Sequence, residues 1–322
     1  MSKKNIMVTV TVVSLAAAIY FGITVSRAMY ELPTEQISHD YLVQHALELV
    51  NKDRKDNGLG SLALSANKAA QTHAEEILMT RTVSHWLTNG EKPYMTYARY
   101  GGAGGIGQNV AFRGITDIEQ CKQSKCEIID PIKKLEEIEY AMMFDDEYYE
   151  WGNKGNILDP NHTHVSFGIA YDEYSFVLVQ NFEYNYINLT EPIGHDPNRI
   201  KIIGTLSEGR LYNISVYYDP FPTTGSYEAH KNEKTYGFGR QIAVVEPPLP
   251  PNSYYEKPRD YELIIAKNMV QDQSEIDVEF DMTGIAVEPG IYTLTVWLQI
   301  NHDYVPATVY QIFIEPNIKD SI

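Results

Sequence analysis

Residues 155–171 read GNILDPNHTHVSFGIAY and residues 177–182 read VLVQNF. The runs Val165 to Tyr171 and Phe176 to Phe182 are rich in β-branched and aromatic residues, which predicts two successive strands. Upstream, the apolar period changes from two to nearly four. Leu42, Ala46, Leu49 and Val50 fall at i, i+4, i+7 and i+8, which predicts a helix from Ser38 that Asn57-Gly58 stops. Ser65 is placed to cap a second helix, with Ala66, Ala70, Ala74, Ile77 and Leu78 on one stripe. Ile132, Leu135, Ile138, Met142 and Met143 extend a third to about Glu147, and Gln108 to Phe112 fits a further strand. Helices outside a short sheet, an α+β unit, are the expectation for this part of the chain.

After Phe182 the helical period disappears. Strand-like runs follow at Ile200 to Gly204, Leu211 to Tyr218, Gln241 to Val245, Tyr261 to Ala266, Glu275 to Phe280, Ile291 to Ile300 and Ala307 to Ile314. Such a series predicts an all-β, immunoglobulin-like sandwich over residues 199–316. The turn-rich stretch Glu191 to Asn198 is the expected boundary, and Glu246-Pro247-Pro248-Leu249-Pro250-Pro251 reads as a long loop between strands.

The whole chain has 322 residues and a net charge of −17, with no basic cluster to interrupt the acidic background. Nucleic-acid binding requires the opposite sign and is excluded. Lys3 and Lys4 precede an uncharged stretch whose apolar heart runs from Ile6 to Val25. At ~1.5 Å per residue it is about 30 Å long as a helix, the thickness of a bilayer core. Residues 1–28 are therefore expected to be a transmembrane signal anchor, or a segment cleaved at Ser26-Arg27-Ala28, with the remainder outside the cytoplasm in either case. Cys121 and Cys126 bracket CKQSKC. In an oxidising compartment a local disulfide is the natural reading, and a metal pair the weaker one. Asn161, Asn188 and Asn213 each open a glycosylation acceptor pattern, which is compatible with export.

The run LVNKDRKDNGLGSLALSANKAAQTHAEEIL, then VSH at residues 83–85, GQNVA at 107–111, GNILDPNHTHVSFGIAY and VLVQNF stand in an order that resembles the CAP superfamily, over about residues 38–184. The superfamily holds the cysteine-rich secretory proteins, venom allergens, plant pathogenesis-related proteins and many secreted prokaryotic members. The resemblance implies an exported α-β-α sandwich with a shallow cleft where two histidines and two acidic residues can hold a divalent cation such as zinc. Position by position, His85 matches the first histidine and Gln108 stands where the family's glutamate is expected. Glu147 in FDDEYY matches the second acidic residue, three positions beyond Phe144, which replaces the usual tryptophan. Asn153 in GNKGNIL stands in place of the last histidine.

Two of those four positions carry neutral amides, which are poorer zinc partners than imidazole or carboxylate. His85 and Glu147 remain as a weak metal pair, so no cofactor is expected beyond a weakly held divalent cation. His162 and His164 alternate along the chain and share a face, but strand histidines usually belong to the core or the surface. Gly102 to Gly107 contain G-x-G-x-x-G without the strand before or the helix after that a dinucleotide site requires. Ser84 and His85 are neighbours on an extended segment and point opposite ways. No H-E-x-x-H or G-x-S-x-G is present. The expectation is a membrane-anchored, extracytoplasmic, non-catalytic binding module with His85, Gln108, Glu147 and Asn153 in its cleft and a protein, glycan or lipid as ligand. Tyr94, Tyr97, Tyr100, Tyr148 and Tyr149 are candidate lining for a lipid or sterol. The alternative is a hydrolase using His85 and Glu147 as base and acid.

Overall fold

The computed structural model describes residues 37–315 except 116, 118, 120, 122, 124, 125 and 195. The apolar stretch Ile6 to Val25 lies outside the described residues, and among those described no helix is long and apolar enough to cross a membrane. The structure is a mixture of helices and β-sheets. Helix α1 (His39–Asp56) buries Leu42, Ala46, Val50 and Arg54 at a spacing of four. Its Arg54 guanidinium is taken out of water and compensated by three carbonyls. Nε donates to Gly60 O at 2.8 Å, and one terminal nitrogen to Ile157 O and Asp159 O at 2.9 and 2.8 Å.

The first sheet has four strands in the order β1 (Ala63–Leu64), β3 (His164–Tyr171), β4 (Ser175–Tyr184), β2 (Gly105–Gly114). β1 runs parallel to β3, and the other pairs are antiparallel. Helix α2 (Ala69–Thr80) covers one face, where Ala70, Ala74 and Ile77 pack on Ala170, Val177 and Val179. Helix α4 (Pro131–Phe144) lies on the other, for Gln180 of β4 reaches Glu139 of α4. The alternation of Val177 and Val179 with Gln180 across the pleat places them on opposite faces, so the sheet is the middle layer of three. Two short helices complete this half, α3 (Pro93–Arg99) and α5 (Gly152–Leu158), with a 3-10 turn (Glu147–Tyr149) between α4 and α5.

The second half holds two sheets. One has the order β10 (Asn268–Asp272), β11 (Glu275–Phe280), β6 (Ile200–Leu206), β5 (Ile187–Leu189). The other runs β13 (Asp303–Ile314), β12 (Gly290–Ile300), β7 (Arg210–Asp219), β8 (Arg240–Glu246), β9 (Glu262–Ile265). Their inner faces share one buried cluster, with Ile200, Ile202, Val278 and Phe280 on one side and Val216, Val245, Leu294 and Val296 on the other. The second half begins earlier than the turn-rich stretch at 191–198 suggests, because Ile187–Leu189 already pairs with β6. The Pro-rich run after Glu246 joins β8 to β9, which lie parallel and so need a long connection. A short helix, α6 (Thr224–His230), stands between β7 and β8 behind a Thr223 capping box.

From Leu42 onward the chain is one compact unit. Ala69, Tyr94, Met95, Tyr97 and Ile106 of the first half share a buried cluster with Ile291 and Val309 of the second. Gly105 permits this approach, since a Cβ there would lie 2.3 Å from the Pro306 carbonyl oxygen. The glycine run 102–107 thus leads into β2 and serves close packing. Gly168 does the same within the first half. A methyl group on it would stand 1.9 Å from the Ala70 carbonyl oxygen, so the absence of a side chain sets the α2–β3 spacing. Gly168→Ala is expected to destabilise the chain by about 2 kcal/mol or more through forced separation of α2 from the sheet, read as a lower urea midpoint at unchanged slope.

Candidate functional site

A cleft of about 520 Å³ opens on the first half. Its floor is the segment Ser84-His85 together with Ile106, Gly107 and Gln108 of β2. One wall is Tyr148, Tyr149, Asn153 and Asn156, and the other is Lys231 to Phe238 from the connection between β7 and β8. His85, Gln108 and Asn153 therefore come together in one cavity. Glu147 does not line it, because α4 ends at Phe144 and Glu147 opens the 3-10 turn with its side chain exposed. Glu150 and Trp151 then take left-handed backbone conformations that reverse the chain into α5.

The carboxylate that meets Asn153 is Asp146. It is buried, accepting from Asn153 Nδ2 at 2.6 Å and from the Lys154 backbone N–H at 3.0 Å, so it satisfies one of the first amides of α5. Gln108 is tied on every side: Oε1 lies 3.1 Å from His85 Nδ1, and Nε2 lies 2.9 Å from Asn181 Oδ1 and 3.3 Å from His73 Nδ1. His85 Nε2 faces the Lys234 carbonyl oxygen at 3.1 Å. Burial pushes the His85 ring toward its neutral form, opposed by the contacts to Gln108 and Lys234, and burial holds His73 down to about 3. A neutral ring owns one N–H, so His85 donates to Gln108 or to Lys234 but not to both.

That donor set does not fit zinc. Both ring nitrogens of His85 are already directed at carbonyl oxygens, Gln108 and Asn153 offer amides, and Glu147 stands outside the cleft. Among the described residues no three of His, Cys, Asp and Glu gather as a metal-binding group. His162 is packed, its Nδ1 2.9 Å from the Asn156 carbonyl oxygen and its ring against Tyr184 and Phe182, and burial lowers it to about 4. Ser84 is buried and its Oγ accepts from Trp86 N at 3.0 Å, a local turn bond away from the His85 ring. Of the tyrosines proposed as lining, Tyr148 and Tyr149 border the cleft, whereas Tyr94 and Tyr97 are core residues.

Cys121 and Cys126 are joined by a disulfide. Asn161 is buried at the junction, where Nδ2 donates to Asp303 at 3.0 Å, so its amide is not presented for glycosylation. Asp146 and the Lys231–Phe238 wall escape sequence reading. Asp145-Asp146-Glu147 gives no sign of which carboxylate turns inward, and no local pattern connects His85 with a residue as remote as Lys234.

Behind the cleft the amides continue inward. Asn156 Nδ2 donates to Asn109 Oδ1 at 2.8 Å, Asn109 Nδ2 to Gln180 Oε1 at 3.0 Å, and Gln180 Nε2 to Glu139 at 2.5 Å. Burial raises Glu139 to about 8 against an ordinary 4.5. The folded chain then keeps a proton that the unfolded chain has lost, so this group's contribution to stability falls as pH rises from about 4.5 to about 8. Glu139→Gln removes the penalty. In urea titrations the variant should gain on the wild type by at most roughly 1.4 kcal/mol per pH unit across that window, with the two nearly equal below it.

No curated protein matches the chain. One solved structure aligned with it is the 1.5 Å crystal structure of an extracellular protein containing a SCP domain from Bacillus anthracis str. Ames, at 17% identity and a TM-score of 0.32, covering 47% of this chain and 45% of that one. Another is the CAP domain of Enterococcal PrgA, at 15% identity and a TM-score of 0.30, covering 46% of this chain and 64% of that one. In each case the chain spans less than two thirds of the other protein's length. Residues 47–182 match CAP, the cysteine-rich secretory protein family, and this part of the chain is a CAP domain.

Proposed function

We propose that the protein is a non-catalytic binding module held outside the cell by its first 28 residues, with its ligand in the cleft between the CAP domain and the β-sandwich that follows. The reading rests on the amide of Gln108, which sits among His85, His73 and Asn181 with both its polar atoms engaged. A general base needs a free lone pair near a proton to abstract, and a zinc site needs charge to offset the ion's lost hydration. The floor of the cleft offers no such charge, and the lone pair left on the His85 ring points at a carbonyl oxygen and not at a free space, whereas amides and tyrosine rings suit recognition of a polar ligand. The Lys3-Lys4 flank and the apolar run behind them support the anchor, and we read the β-sandwich as immunoglobulin-like.

The full chain, purified in detergent, should contain much less than one zinc per molecule. It should also leave peptide and cell-wall substrates intact over hours. One zinc per chain that is lost in His85→Ala would overturn the depleted-site reading. Turnover abolished by both His85→Ala and Glu147→Gln would replace the binding module with a hydrolase.

A further inference from the structure

Between His230 and Arg240 the chain forms no regular element, and Lys231 to Phe238 lie along the cleft. Lys234 presents its carbonyl oxygen to His85 Nε2 at 3.1 Å. Its ammonium donates to the Tyr148 carbonyl oxygen at 2.8 Å and stands 3.7 Å from the centre of the Tyr148 ring and 5.8 Å from that of Tyr149. Two residues on, the Tyr236 hydroxyl donates to the Ile106 carbonyl oxygen at 3.3 Å, and its ring packs 5.3 Å from His85 and 6.4 Å from Tyr94. A main-chain acceptor, a cation over aromatic faces and an aromatic ring in the floor are the contacts by which a receptor holds an extended peptide.

The two ends of this segment are anchored to the first half, and its middle is held through Lys234 and Tyr236. Lys92 Nζ bonds both oxygens of Asp219, where β7 ends, and also the Gly237 carbonyl oxygen at 2.9 Å, while His230 stacks on Trp86. Lys234, by contrast, is exposed, and so is the Tyr148 ring beneath it. The single proton of a neutral His85 ring serves either Gln108 or Lys234, so at most one of these two carbonyls accepts from it. Exchange requires that Lys234 and Tyr236 leave these contacts.

We propose that residues 231–238, packed along the cleft as one of its walls, hold the place of an exchangeable ligand, an extended peptide presenting a lysine and, two residues later, an aromatic side chain. The proposal rests on the binding-module reading and names its ligand class. The net charge of −17 favours a cationic segment arriving from outside. The tethered occupant has an effective concentration on the order of millimolar, so a free peptide of similar intrinsic affinity is largely excluded until the occupant is weakened.

The test uses the full chain and a fluorescein-labelled peptide of sequence HKNEKTYGF, which matches residues 230–238, followed by anisotropy. Wild type should not saturate below about 1 mM. Lys234→Ala, which removes an exposed side chain, should bind at least about tenfold more tightly. Adding Tyr148→Ala to that variant, or replacing the second lysine of the peptide by norleucine, should reverse the gain. Equal binding by wild type and Lys234→Ala, in variants whose circular dichroism and Tm match the wild type, would overturn the proposal. So would a gain indifferent to the peptide's lysine. Mass spectrometry of the recovered peptide separates the two readings. An intact, unbound peptide sinks the occupant alone, whereas cleavage lost in His85→Ala sinks the non-catalytic reading whatever the affinity.

Discussion

The ion pair between Lys92 and Asp219 ties the second half to the first at the edge of the apolar cluster they share. Lys92 immediately precedes α3, and Asp219 is the last residue of β7. The carboxylate takes both bonds from the ammonium, at 3.0 and 2.9 Å, and a third from the Tyr94 hydroxyl at 2.9 Å. Neither member of the pair is well solvated. Removing one would leave the other a largely dehydrated charge without a partner, which is why such pairs fix geometry even where they add little net stability. The connection that borders the cleft leaves from Asp219, and on its return Gly237 is held by the same ammonium. The second wall of the cleft is thus tied at both its ends to one cation.

Within the CAP domain the governing constraint is neutrality. An amide donates and accepts, so a series of amides can close on itself in a low-dielectric interior without a net charge that needs compensation. Gln108 is paired with Asn181, and Asn156, Asn109 and Gln180 run in sequence toward α4, the two groups meeting where Asn156 donates to the Gln108 main-chain carbonyl. At its inner end Glu139 is itself held toward the protonated form by burial. A glutamate at position 108 would place a charge at the floor against His73, a ring that burial keeps neutral. The glutamine accordingly fits its surroundings.

The sequence was most legible where apolar periods are long. α1, α2 and α4, and the strands of the first sheet, fall close to where Leu42 to Val50, Ala66 to Leu78, Ile132 to Met143 and Val165 to Phe182 place them, because each must bury a continuous face. The helices α3, α5 and α6 have seven residues each, too short to show a stripe, and are held by tertiary contacts, with α5 also held by the Asp146 bond to Lys154 N and α6 by its Thr223 capping box. For the candidate site, the gathering of His85, Gln108 and Asn153 was readable from motif order. The acidic position was not, since Asp146 turns inward to Asn153 and Lys154 while Glu147, opening the 3-10 turn, faces water. A turn of that kind leaves no periodic trace.

The burial at the junction bears on what the second half is for. Tyr94, Tyr97, Met95 and Ile106 belong to the CAP domain by sequence, yet Ile291 and Val309 share their cluster, and Phe221, Tyr236 and Phe238 pack against it. Without the β-sandwich these side chains would face water, at a cost of roughly 25 cal/mol for each Å² of apolar surface exposed. The same connection that covers them supplies Lys234 and Tyr236 to the cleft. Covering the junction and shaping the cleft are therefore one structural task, in which residues 220–239 take part. A CAP domain cut free of its sandwich would lose its fold support and one wall of its cleft together, so the site belongs to the junction and not to either half.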